Sequence, residues 1–99
     1  MGHIPVMLEE SLQFFREKKL ISFFDATLGL GGFADRLLEE HPEIVYYFGC
    51  DRDEEALRRA QRRLARWNDK MIWIHGNFAD LDKHLQDHNM KQVDGFFLI

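Results

Sequence analysis

The stretch Ile21 to Gly32, ISFFDATLGLGG, constrains this chain more than any other. Ile21, Ser22, Phe23 and Phe24 run apolar or small into Asp25, and a glycine-rich turn then opens onto an amphipathic segment that begins near Phe33. That order reads as strand, tight loop, helix. In an open parallel sheet, ligands sit in the crevice beyond the carboxyl ends of the strands, and glycine, having no Cβ, lets main chain approach them closely. The stretch therefore predicts a cofactor pocket.

The flanking sequence supplies the sheet. His3 to Val6 is extended because Pro5 biases Ile4 away from helix. A helix follows, with Leu8, Leu12 and Phe15 at i, i+4 and i+7 and charged residues on the other side. After the glycine loop, Phe33, Leu37 and Leu38, with His41 at the margin, form the dry face of a second helix that Pro42 stops. Ile44 to Cys50, IVYYFGC, is nearly continuous in apolar residues, as a strand covered on both faces should be. A third helix starts near Asp53, carries Glu54 and Glu55 early and arginines at 58, 59, 62, 63 and 66 late, and buries Ala56, Leu57, Ala60, Leu64 and Trp67. Met71 to His75 is a third strand, Ala79 to His88 a weaker helix, and Phe96 to Ile99 a fourth strand after a turn at Asp94-Gly95. Strands alternating with helices imply an α/β fold with a parallel sheet.

Composition narrows the function classes. Ninety-nine residues at 45% hydrophobic and 30% charged make one ordinary domain or part of one. No apolar run approaches the roughly 20 residues of a membrane span and no signal peptide is evident, so the expectation is a cytoplasmic protein without a membrane partner. The single Cys50 lies inside an apolar run and reads as a buried free thiol. A net charge of −4 argues against a chain that wraps nucleic acid by itself.

Gly29, Gly31 and Ala34 satisfy the loose form of the dinucleotide fingerprint, and Asp51 lies 22 positions beyond Gly29, where a ribose-binding acid is expected. Asp25 separates the candidate ligands. A carboxylate at the end of the first strand would repel the pyrophosphate of a nicotinamide or flavin dinucleotide. S-adenosyl-L-methionine carries an ammonium and a sulfonium and no phosphate, so it suits Asp25 better, directly or through a water.

Five blocks then carry a resemblance along nearly the whole chain, in order and in spacing. They are HIPVMLEE at 3 to 10, DATLGLGG at 25 to 32, GCDRDEEAL at 49 to 57, HGNFADL at 75 to 81 and VDGFFL at 93 to 98. They resemble the bacterial small-subunit (16S) ribosomal RNA cytosine N4-methyltransferases, the MraW or RsmH family. The resemblance implies a Rossmann-like class I methyltransferase fold, with residues 1 to 99 as the amino-terminal part of the domain, cut short after its fourth strand. It implies S-adenosyl-L-methionine as cofactor and small ribosomal subunit RNA as partner. It places Gly31, Gly32 and Phe33 against the methionine end of the cofactor, Asp51 on the ribose and Phe78 beside the adenine; Gly29 and Asp25 complete the expected set. In the family the residue after the glycine pair is usually histidine, whereas Phe33 keeps bulk and lacks a hydrogen-bonding group. The family's fourth strand ends in an acid, and Ile99 stands in its place, so no catalytic base is nominated.

The remaining polar constellations read as structure. His84 and His88, beside Asp80 and Asp87, have metal-ligand spacing on one helical face, but a solvated face is the expectation and no metal is assigned. The arginines from 58 to 66 are read as a solvated face before an RNA contact. His3 and Glu9 stand near the crevice only as secondary candidates. The competing function is a catalytically inactive binding module, or one that self-associates through an exposed sheet edge.

Overall fold

Strands as uniformly apolar as SFF and YYFGC must be covered on both faces, and the computed structural model, which describes residues 6–26, 32–76, 81–88, 90 and 93–97, shows how. Its elements are α1 (Val6–Phe15), β1 (Ser22–Asp25), α2 (Gly32–Glu40), β2 (Tyr46–Asp51), α3 (Glu54–Arg63), a 3-10 turn (Ala65–Trp67), β3 (Met71–His75), α4 (Leu81–Asp87) and β4 (Gly95–Phe97). All strand pairs are parallel, in the order β3-β2-β1-β4. The chain thus enters the sheet at an interior strand, steps outward to β3, and returns to the other side of β1.

Side-chain alternation divides the core in two. Phe23 and Tyr47 face α1, α2 and α3, where Leu12, Phe15, Ala34, Leu37, Leu38, Leu57 and Ala60 close over them. Phe24, Phe48, Cys50 and Ile74 face the other way and meet Leu85 of α4. Cys50 is fully buried, and its Sγ lies 3.4 Å from the Gly76 carbonyl oxygen. The first face is aromatic: the Phe23 ring stacks on Tyr47 at 5.4 Å, meets Phe15 edge-on at 5.0 Å and touches Phe33 at 5.8 Å.

The helices follow their sequence signals with local exceptions. In α1, Leu12 and Phe15 are buried and Leu8 packs beside them. Asp53 caps α3 by accepting the Glu55 N–H at 3.0 Å. Asp53→Ala should therefore lower stability by about 1 kcal/mol. Urea unfolding measures this, and an unchanged midpoint would show that the cap contributes nothing. The α-helical stretch stops at Arg63, earlier than its dry stripe, and Trp67 lies in the 3-10 turn. The reason is a polar anchor: Asp35 of α2 accepts the Trp67 indole N–H at 2.8 Å and the Arg66 guanidinium at 2.9 Å.

Three other boundaries differ from expectation. β2 begins at Tyr46, because the N–H groups of Val45 and Tyr46 both go to the Ile21 carbonyl and that of Ile44 to His41. Gly95, expected in a turn, is the first residue of β4. The His88 ring, expected in solvent, stands edge-on to Tyr46 at 5.6 Å and Phe48 at 5.8 Å, so α4 turns this imidazole onto the sheet. At the amino end of the sheet, Asp94 Oδ2 accepts the N–H groups of Ile21 (2.7 Å) and Ser22 (3.1 Å), while the Asp94 N–H donates to the Ser22 carbonyl.

Candidate functional site

β1 ends at Asp25 opposite Gly49 of β2, and β2 continues two residues further to Asp51. That overhang sets Asp51 about 6 to 7 Å further along the strand direction. By alternation Asp25, Tyr47 and Asp51 point to the same side of the sheet, the side of α1 to α3. β3 stops level with β2, His75 opposite Asp51, and the Gly76 N–H bonds the Asp51 carbonyl. The carboxyl edge of three strands is therefore held in fixed register around the position where the crevice was expected.

The two carboxylates sit in different surroundings. Asp51 is half-buried, and its Oδ1 accepts the Asp53 N–H at 2.9 Å, which fixes the side chain at the turn into α3. Asp25 is 1% exposed and accepts the Tyr47 O–H at 2.8 Å. Burial and the neighbouring Asp25 carboxylate push the Tyr47 phenol well above its ordinary pKa, so it remains a neutral donor. Sequence reasoning did not find Tyr47. The signal was a hydroxyl in an otherwise apolar strand two residues before a glycine, and only pairing shows that it meets Asp25.

Of the other expected residues, Gly32 opens α2 and Phe33 follows it. The Phe33 ring is 8% exposed and belongs to the core beside Phe23. Its side chain is thus committed to the core, and its main chain lies in the first turn of α2. Gly29, Gly31 and Phe78 lie outside the described residues, as does His3. Glu9 is engaged elsewhere, in a two-pronged pair with Arg36 at 2.6 and 3.3 Å that holds its carboxyl below the usual range. The arginines of α3 are exposed; Arg58 pairs with Glu54 and Glu55, and Arg66 stacks over Trp67. Among the described residues no helix is long and apolar enough to cross a membrane.

Solved structures place this arrangement in a fold class. A Staphylococcus aureus protein classed as a caffeoyl-CoA O-methyltransferase superposes with a TM-score of 0.75 over 97% of this chain and 45% of its own, at 16% identity. A Clostridium thermocellum protein classed as an rRNA methylase gives 0.67 over 84% and 49%, at 22% identity. The fold is that of the Rossmann-like class I methyltransferases. In sequence, the chain is 45% identical over 80 residues to the ribosomal RNA small subunit methyltransferase H of Protochlamydia amoebophila, covering 81% of this chain and 25% of that protein. It is 40% identical over 93 residues to the protein of the same name from Chlamydia caviae, covering 94% and 30%. The chain thus spans about a quarter to a third of the length of these relatives. Residues 1–98 match the MraW methylase family, and the chain belongs to it.

Proposed function

We propose that residues 1 to 99 form the amino-terminal, cofactor-binding part of an S-adenosyl-L-methionine-dependent methyltransferase domain whose substrate is the N4 amine of a cytosine in small-subunit ribosomal RNA. The observation that carries this reading is the family match combined with a half-buried, fixed Asp51 at the carboxyl end of β2. The relatives named above are small-subunit rRNA methyltransferases, and the present chain covers about a quarter to a third of their length. An enzyme of this kind works in the cytoplasm.

The residues fit the cofactor on charge. A buried carboxylate at the end of β1 opposes a phosphate and favours a cation, and Asp25 is such a carboxylate. When bound, the cofactor supplies an electrophilic methyl on a sulfonium. In the proposed arrangement Asp51 accepts from the ribose hydroxyls, and the Asp53 N–H holds its side chain in place. Gly29, Gly31 and Gly32 let main chain reach the methionine end, Phe33 stands beside it at the start of α2, and Phe78 lies against the adenine face.

Asp51→Ala should weaken binding of S-adenosylhomocysteine by about 2 kcal/mol, roughly thirtyfold in Kd, because it removes a charged acceptor. Calorimetry on the wild-type chain and the variant decides it. An unchanged Kd would remove Asp51 from the site.

A further inference from the structure

Burying a carboxylate is costly unless hydrogen bonds take the place of water. Asp25 is nonetheless 1% exposed at the end of an interior strand, and Tyr47 of the next strand is fully buried with its O–H 2.8 Å from Asp25 Oδ2. Phenylalanine would provide the same ring for Phe23 to stack on, so packing alone does not account for the hydroxyl. What the hydroxyl adds is directed at Asp25: it donates to one carboxylate oxygen and fixes its orientation.

We infer that Tyr47 is a positioning residue for the cofactor, its O–H holding the Asp25 carboxylate in the orientation that favours the ammonium at the amino-acid end of S-adenosyl-L-methionine. The inference rests on the cofactor reading above and extends it to a residue one strand away from the glycine loop. A hydrogen bond serving stability alone would affect every ligand of the crevice equally. A hydrogen bond serving Asp25 acts on the part of the ligand that carries the positive charge, because the charge–charge term falls with distance.

The test is calorimetry on the whole chain, wild type, Tyr47→Phe, Asp25→Asn and the double variant, with two ligands. S-adenosylhomocysteine carries the ammonium and carboxylate, whereas 5′-methylthioadenosine shares the adenosine and thioether and has neither. Tyr47→Phe should weaken S-adenosylhomocysteine about tenfold while changing 5′-methylthioadenosine by less than about twofold. Asp25→Asn should weaken S-adenosylhomocysteine at least as much, and adding Tyr47→Phe to it should have little further effect. Equal weakening of both ligands by Tyr47→Phe, or none, overturns the positioning role. Should Tyr47→Phe fail to fold, full affinity for S-adenosylhomocysteine in Asp25→Asn overturns it instead. A wild-type chain that binds neither ligand overturns the cofactor reading and this inference together, whereas a wild type that binds both with an unaltered ratio in Tyr47→Phe overturns the inference alone.

Discussion

Incubated with radiolabelled S-adenosyl-L-methionine and small ribosomal subunits, the 99-residue chain should leave no label on cytosine N4 above background, with a full-length relative as positive control. The amine of cytosine has its lone pair delocalised into the ring, so transfer depends on an acceptor that orients it and takes its proton. The acids described near the sheet are already committed. Asp25 is buried against Tyr47, Asp51 is fixed at the turn into α3, and Asp94 lies at the opposite edge, where it holds Ile21 and Ser22. Part of the basic surface is also engaged: Arg16 pairs with Glu40, Arg36 with Glu9, Arg58 with Glu54, and Arg66 with Asp35. The net charge of −4 opposes an RNA backbone over the chain as a whole. Since it spans only 25% to 30% of the relatives' length, we assign orientation of the amine and grip on RNA to the remainder of such an enzyme. Label found specifically at cytosine N4 would show that groups within these residues suffice.

Gly95→Val should destabilise the fold by about 3 kcal/mol, although valine is the better strand former by propensity. A Cβ at this position would come within 2.4 and 2.6 Å of Phe23 Cδ2 and Cε2, and within 3.2 Å of Leu20 Cδ2. Phe23 is paired with Gly95 across the sheet and cannot swing away, because Phe15, Phe33 and Tyr47 surround its ring. The clash therefore has to be relieved by moving β4 off β1 or by disturbing the aromatic cluster. Chemical denaturation of the two proteins measures the difference. Equal midpoints would mean that β4 does not sit on Phe23 as described.

The order of elements was legible because periodicity changes sharply along the chain. Leu8, Leu12 and Phe15 repeat as a helix does, and MIWIH is bounded by turn residues, so α1 and β3 could be placed from sequence. What was hidden is a matter of faces. In YYFGC every residue is apolar or small, and no alternation tells which of them points to α1 to α3 and which to α4. Only the register of Phe23 with Tyr47 and of Asp25 with Gly49 settles that, and with it the hydrogen bond between Tyr47 and Asp25. Gly95 was misread for a related reason. Asp-Gly is a strong turn signal, and here the glycine is required instead by the bulk of a ring on the neighbouring strand. Of the site, Asp25, Gly32, Phe33 and Asp51 are seen at the carboxyl edge or the start of α2, and the core position of the Phe33 ring could not be read from a loop motif.

The place of β4 has a consequence for the chain during its synthesis. β1 pairs with β2 soon after both exist, but its other edge waits for residues more than seventy positions later, when Asp94 takes the Ile21 and Ser22 N–H groups. Until then an interior strand behaves as an edge strand, with main-chain donors and acceptors open to any neighbouring chain. Pairing that must close so long a loop comes late. A ribosome paused before Asp94 would therefore hold out an adhesive SFFD edge, and nascent chains arrested there should co-aggregate with one another more readily than chains arrested after Phe97.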